Sequence, residues 1–206
     1  MKTWRELLGG LIPERDCFSL SPKEMVPLLL AQVAAAVKED VVLPPVTADE
    51  LGRFVADTGM DLPEEVAQWL SLCNGAAVGP GGLLGIYTEW TDLDLTRAME
   101  RHPAWREKGW LPVGSDGCGN YYLLQTAAGE MEKSPVFFVD HEVDLYAPAY
   151  AVASGLWEFV LFVLLYELRP DRGQRFFWPF SLAEVLAIDP ELERCAGYIP
   201  LPWETN

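Results

Sequence analysis

Histidine is scarce in this chain, and so are the residue patterns that build metal and catalytic centres. The 206 residues include only His102 and His141, neither in H-E-x-x-H nor at helical spacing from a second ligand. The four cysteines are scattered and never form C-x-x-C. The glycine and serine patterns of phosphate-binding loops and nucleophile elbows are also missing. We therefore expect no catalytic residues, no metal and no cofactor, and a protein that is not an enzyme.

Basic side chains and long apolar runs are scarce too. The chain has 15 Lys and Arg against 31 Asp and Glu, a net charge of −16. A field of that sign repels nucleic acid and anionic membranes. The longest apolar run, Phe159–Tyr166, is far shorter than the roughly 20 residues that cross a bilayer, and charged residues interrupt any secretory signal in residues 1–16. These features predict a soluble, cytoplasmic protein with free thiols, bound neither to nucleic acid nor to membrane.

Acidic residues are concentrated in the middle of the chain. Residues 46–168 hold 6 basic and 19 acidic side chains, net −13, whereas residues 1–45 and 169–206 carry −1 and −2. Such a surface keeps a protein soluble, and it also speeds encounter with a basic partner. The composition leaves both interpretations open.

Helix signals mark the first third of the chain and its end. Capping boxes at Ser21–Glu24 and Thr47–Glu50 predict two helix starts, and Gly59 predicts the end of the second helix. In Leu62–Cys73 the apolar residues recur at helical spacing. Towards the C-terminus, a third capping box at Ser181–Glu184 and the pair Asp189-Pro190 predict two short helices, which with the aromatic segment Phe176–Pro179 should pack back on the body.

Between these helices the pattern is typical of strands. Apolar and aromatic residues form short runs separated by Gly, Pro or charged loops, and predict strands at Leu83–Thr88, Trp110–Val113, Tyr121–Thr126, Val136–Asp140 and Ala149–Ala153. Residues 127–134 would link two of them as a hairpin. Gly155–Leu168, with Ser154 as its cap, predicts a helix that is apolar nearly all round and therefore buried. This order predicts an α+β fold with a mostly antiparallel sheet and flanking helices.

The most distinctive stretch is G-W-L-P-V-G-S-D-G-C-G-N-Y-Y, residues 109–122. Its three inner glycines tolerate positive φ, and its Asp and Asn side chains can bond to nearby backbone, so a tight turn is expected. The turn residues are Gly114, Asp116, Gly117, Gly119 and Asn120. A calcium loop would need acidic residues at alternating positions and a final glutamate, which this turn lacks.

In combination these motifs resemble the SUKH superfamily. The family's L-P and N-G pairs fall on Leu62-Pro63 and Asn74-Gly75, and its strand-turn-strand pattern falls on Trp110, Pro112, Gly114, Asp116, Gly117, Gly119 and Asn120. The resemblance implies a SUKH-like domain at residues 46–168, an N-terminal helical extension at 1–45 and a C-terminal extension at 169–206 that packs on the domain. One departure is Ala76-Ala77, where the family often has another glycine.

The resemblance also implies a function. Bacterial members are largely immunity proteins against polymorphic toxins, and fungal members include cell-wall assembly regulators. We therefore expect an immunity protein that neutralises a cognate toxin, a basic nuclease domain, by direct stoichiometric binding; the alternative is a non-enzymatic regulatory or adaptor module. The expected partner-binding residues are the acidic side chains that follow two strands, Glu89, Asp92, Asp94, Asp140, Glu142 and Asp144.

The run Asp140-His141-Glu142 has three interpretations. Strand alternation would put Asp140 and Glu142 on one face of the sheet and His141 on the other, which separates the imidazole from its carboxylates. The residues could anchor the strand end by hydrogen bonds, contact a partner, or form a catalytic or metal site.

Overall fold

A five-stranded sheet forms the centre of the computed structural model, which describes residues 10–11, 19–36, 41–60, 62–126, 134–169, 181–197 and 199–202. The strands lie side by side in chain order and every neighbouring pair is antiparallel. Their bounds are β1 Gly82–Leu83, β2 Trp110–Ser115, β3 Tyr121–Gln125, β4 Val136–Val139 and β5 Tyr150–Ala153.

Helices precede, interrupt and follow this sheet, as in an α+β fold. They are α1 Pro22–Ala36, α2 Ala48–Thr58, α3 Glu64–Leu72, α4 Leu95–Arg101, α5 Ala104–Glu107, α6 Leu156–Glu167 and α7 Leu182–Ile188, with 3₁₀ helices at Thr91–Leu93 and Pro190–Gly197. The predicted fold class is confirmed. Local signals account for several of these bounds: Thr47 and Glu50 form the capping box of α2, and Gly59 ends it at φ +64°.

Helices cover both faces of the sheet. Successive residues of a strand point to opposite faces, so the rings of Tyr121 and Tyr122 in β3 point to different layers. The Tyr122 ring lies 4.9 Å from the ring of Phe159 in α6. The Tyr121 ring lies 5.1 Å from the ring of Trp105 in α5, which is fully buried. The fold therefore has three layers: α6, the sheet, and α4 with α5.

The apolar character of α6 has a structural reason. One side of the helix packs on the sheet and another packs on α1, so α6 has almost no solvent-facing side and every residue from Phe159 to Leu165 is buried. From α1, the side chains of Val26, Leu29 and Val33 are completely buried. Residues of the predicted N-terminal extension thus form part of the main core.

The C-terminal segment contacts the sheet through hydrogen bonds. Ser154, predicted to cap the helix at 155–168, does not do so, because its N–H and its hydroxyl each donate to a carboxylate oxygen of Asp189 at 2.7 Å. Gly155 takes the N-cap position of α6 instead. The N–H of Ala151 in β5 donates to the carbonyl of Pro200 at 2.7 Å. The division into a 46–168 domain and two extensions stays a prediction.

The first predicted strand, Leu83–Thr88, is wrong beyond Leu83. The side-chain amide of Asn74 bonds to both backbone groups of Ile86, donating to its carbonyl at 2.9 Å and accepting from its N–H at 2.7 Å. Those groups are therefore not free for a neighbouring strand. Tyr87 follows at φ +51°, a left-handed conformation that cannot continue a strand.

Two predicted segments fall on undescribed residues. Phe176–Pro179 lies wholly outside the described part of the chain, and so does most of the hairpin link at 127–134. Of the cysteines, Cys73 and Cys195 are buried and Cys118 is exposed, and none of these three forms a disulfide. Cys17 lies outside the described residues.

Candidate functional site

The glycine-rich turn between β2 and β3 is organised by one buried carboxylate. Asp116 Oδ1 accepts the N–H groups of Cys118 at 2.8 Å and Asn120 at 3.1 Å, and Oδ2 accepts the Asn120 side-chain amide at 2.6 Å. Gly117 and Gly119 have φ of +77° and +103°, as expected from the sequence. Gly114 does not take positive φ; it lies in β2, where a Cβ would come within 3.0 Å of Phe159. This arrangement explains the turn motif as a structural element.

The same turn holds the loop that follows β4. Asn120 Oδ1 accepts the backbone N–H of His141 at 2.8 Å and lies 2.8 Å from His141 Nδ1. Strand alternation does not continue through residues 140–142 as predicted, because β4 ends at Val139 and Asp140 Oδ1 accepts the N–H of Glu142 at 2.9 Å. The hydrogen-bonding interpretation of this run therefore applies to Asp140 and His141.

Further bonds shape the rest of this loop, residues 140–146. Asp144 donates its N–H to the Asp140 carbonyl at 2.9 Å and accepts the N–H of Tyr146 on Oδ1 at 2.7 Å. The indole of Trp105 donates to the Leu145 carbonyl at 2.8 Å. Glu142 and Asp144 are exposed, and Asp140 is half-buried. The loop thus presents its carboxylates from a hydrogen-bonded frame.

The acidic residues that follow β1, which are Glu89, Asp92 and Asp94, differ in their exposure. Glu89 and Asp92 are exposed. Asp94 is only 4% exposed, and its Oδ1 accepts the N–H of Arg97 at 3.2 Å as the N-cap of α4. This burial does not favour the predicted role of Asp94 in partner binding, because a buried capping carboxylate has little surface to offer.

The loop that carries Glu89 and Asp92 also presents Trp90, which sequence reasoning missed. The Trp90 side chain is 40% exposed. The turn before it is tied to α2, since the Tyr87 hydroxyl donates to Asp57 Oδ2 at 2.8 Å and the Arg53 guanidinium lies 4.6 Å from the Tyr87 ring centroid. Trp90 follows Glu89 and lies two residues before Asp92 in the sequence, a position that does not by itself show whether an indole is exposed.

The two acidic groups follow strands that run in opposite directions and so finish at opposite ends of the sheet. Leu83 pairs with Gly114, so β1 runs from the Ser115 end of β2 towards its Trp110 end. Val139 pairs with Tyr121, which pairs with Ser115, so β4 runs towards the Ser115 end. Glu89 and Asp92 on the one hand, and the 140–146 loop on the other, are thus presented by separate parts of the fold.

Among the described side chains, the histidines, cysteines and carboxylates are the groups most suited to catalysis or metal binding. No group of three or more His, Cys, Asp or Glu side chains among them could hold a metal ion. Burial raises the pKa of the Cys73 thiol to about 12, so this cysteine is protonated and a poor nucleophile near neutral pH. The His102 ring stacks on Trp105 at 4.2 Å, and burial, then the Arg101 charge, lowers its pKa. That imidazole is a packing group.

No helix in the described segments has the length and apolarity needed to span a membrane.

Replacing Gly119 with Val should destabilise the fold by about 1 to 3 kcal/mol, because a β-branched residue is strained at positive φ. The added Cβ would also lie 3.3 Å from the His141 ring. Gly117→Val should behave alike. Urea denaturation measures the change. Cys118→Val is the matched control, since Cys118 is exposed and does not take positive φ. Equal stability of all three variants would contradict a constrained turn.

Comparison with known proteins identifies the family of this chain. No curated protein matches the chain significantly. A family model described as SMI1 / KNR4 family (SUKH-1) matches residues 45–161, which is more than half of the chain. The match includes the Asp116–Asn120 turn, both acidic groups and the Asn74 clamp, which is the pair of bonds from the Asn74 side-chain amide to the backbone of Ile86. The chain therefore belongs to the SMI1 / KNR4 family (SUKH-1), which confirms the resemblance to the SUKH superfamily.

Proposed function

We propose that this protein is an immunity protein that neutralises a bacterial polymorphic toxin by direct, stoichiometric binding in the cytoplasm. Proteins of its family are generally non-enzymatic immunity modules, and membership is consistent with that role. One structural observation supports a binding function most: carboxylates are presented on loops whose backbones are already fixed by hydrogen bonds. A fixed loop loses little conformational freedom on binding, so more of the contact energy appears as affinity.

The charge of the chain indicates the chemistry of the partner. Residues 46–168 carry a net charge of −13, which favours a basic protein surface. A nuclease needs such a surface to hold the phosphates of its substrate. An acidic protein that covers this surface would both bind the toxin and exclude its nucleic acid. We therefore propose a basic nuclease domain as the partner.

The contact residues in this proposal are those that the structure leaves accessible. They are Glu89 and Asp92 on one loop, and Glu142 and Asp144 with half-buried Asp140 on the other. Asp140 and Asp144 also maintain their loop, through bonds to the N–H groups of Glu142 and Tyr146. Charge reversal at Asp140 would therefore disturb the loop as well as the surface, and Glu142 is the better position to test.

Under this proposal, we expect a basic toxin domain to be encoded beside this chain's gene. The association rate with that domain should fall at least about tenfold between low and high salt, because electrostatic steering is screened. The dissociation rate should change much less. Stopped-flow mixing at several ionic strengths measures both rates. Failure of this domain to bind at any salt concentration would refute the proposed partner.

Two variants test the acidic loops: the double variant Glu89→Lys with Asp92→Lys, and the single variant Glu142→Lys. Each should bind the domain more weakly than the parent and protect toxin-expressing cells less well. The matched control for the double variant is Glu100→Lys with Glu107→Lys, two exposed residues on α4 and α5, and Glu100→Lys alone is the control for the single variant. Binding that falls equally in the control and the test variants would show that only total charge matters. Melting temperatures establish that every variant is folded.

A further inference from the structure

Trp90 combines a large apolar surface with charged neighbours. Its side chain is 40% exposed, and Glu89, Thr91 and Asp92 beside it in sequence are exposed too. A partly exposed indole is costly to leave in water and gives a large area to bury in a complex. This loop, residues 85–95, is hereafter the Trp90 loop.

The backbone of the Trp90 loop is closed and held along its length. At its base, the Gly85 N–H donates to the Leu93 carbonyl at 2.9 Å and the Gly85 carbonyl accepts the Leu95 N–H at 2.8 Å. At its turn, the Trp90 carbonyl accepts the Thr88 hydroxyl at 2.8 Å and the Leu93 N–H at 2.9 Å. The indole is therefore carried by a fixed main chain before any partner arrives.

The second acidic loop offers a different apolar side chain at its exposed tip. Val143 is 82% exposed between Glu142 and Asp144. Residues that dominate binding energy are enriched in Trp, Tyr and Arg, whereas Val is under-represented among them. Tyr146 in that loop is 41% exposed, a fraction similar to the 40% of Trp90, but a phenol ring has a smaller area than an indole. The comparison favours the Trp90 loop as the source of affinity.

We infer that Trp90 is the anchor of the toxin interface, a conclusion that rests on the proposed function. The occupant of this surface is a basic protein face with an apolar pocket rimmed by Lys or Arg. The pocket would take the indole, and the rim would pair with Glu89 and Asp92. A guanidinium or ammonium beside an indole also gains from the cation–π interaction. On this view the 140–146 loop contributes mainly to the association rate.

The test compares Trp90→Ala with Tyr146→Ala, two aromatic truncations of matched exposure, against the basic domain encoded beside the gene. Trp90→Ala should raise Kd at least about 30-fold, mainly through faster dissociation, as expected for an anchor residue. Tyr146→Ala should change Kd less than about threefold. Trp90→Phe should recover much of the lost affinity, because it keeps an aromatic ring for the pocket. Polylysine, a flexible polycation without a pocket, should lose much less affinity through Trp90→Ala than the domain does, because it can gain only the cation–π contribution.

The outcomes separate this inference from the proposed function. Circular dichroism establishes whether Trp90→Ala is folded. If this folded variant binds the domain as tightly as the parent does, the anchor is refuted while the immunity role stands. An equal loss in Tyr146→Ala also refutes it. If Trp90→Ala does not fold, Trp90→Phe and Trp90→Tyr decide: a graded loss of affinity supports the anchor, and parental affinity in both refutes it. If the parent does not bind the domain, the proposed partner and the anchor fall together.

Discussion

Gly85→Ala should destabilise the protein by at least about 3 kcal/mol, a large fraction of the stability of a domain this size. A Cβ at this position would lie well inside 3.0 Å of the backbone oxygen and the side-chain Oδ1 of Asn74. Neither atom can retreat freely, because Asn74 Oδ1 accepts the N–H of Ile86 and its amide donates to the Ile86 carbonyl. The substitution must therefore break the Asn74 clamp or displace the backbone at Gly85.

Gly52→Ala is the matched control for this prediction. Gly52 lies within α2, and a Cβ there meets no atom within 4 Å. Alanine should stabilise the helix by up to about 1 kcal/mol. Urea denaturation of both variants measures the difference. Similar midpoints for Gly85→Ala and the parent would show that the Asn74 clamp does not constrain Gly85.

Leu29→Ala should cost about 2 to 5 kcal/mol, the range for a fully buried leucine. Leu29 is completely buried in α1, the helix that packs on α6. Leu72→Ala is the control, since Leu72 is 39% exposed at the end of α3 and its truncation should cost less than about 1 kcal/mol. Thermal or urea unfolding gives both values.

This second prediction also tests the division of the chain. α1 lies before residue 45, where the family match begins. A large loss in Leu29→Ala would mean that the segment before the match is required for a stable core. If Leu29→Ala and Leu72→Ala are equally mild, α1 is an appended helix and residues 46–168 are close to self-sufficient.

Features with local causes could be predicted from sequence. The capping box of α2 joins two residues that are three positions apart. The N–H groups that donate to Asp116 belong to Cys118 and Asn120, two and four positions away. Glycine at positive φ needs no distant partner to be recognised in this turn. The apolar pattern of α6 indicated its burial, although it did not indicate that α1 is what covers one side.

Features that depend on distant residues could not be predicted. Ser154 has the sequence context of an N-cap, but its hydroxyl instead donates a hydrogen bond to the carboxylate of Asp189, 35 residues later. The strand predicted at 83–88 ends early because Asn74, 12 residues before Ile86, binds the backbone there. In both cases a side chain competes with the local hydrogen-bond pattern, and only the folded chain brings that side chain into position.

The same limit applies to the candidate site. Charge and position after a strand identified Glu89, Asp92 and Glu142 as exposed carboxylates. They could not distinguish Asp94, which caps α4, or Asp140, which shapes its loop. Exposure of Trp90 was also invisible, because most tryptophans of this chain that the structure describes are buried.

The packing of α1 on α6 has a consequence for how the chain folds during synthesis. The two helices, Pro22–Ala36 and Leu156–Glu167, are separated by the entire sheet in sequence. Contacts of such long range slow folding, because the intervening chain must be ordered before they form. On the ribosome, α1 emerges before α6, and the apolar side that packs on α6 stays uncovered until residues 156–167 have been made. Transiently exposed apolar surface of this kind promotes aggregation, so the packing of α6 on α1 protects the chain as well as stabilising it.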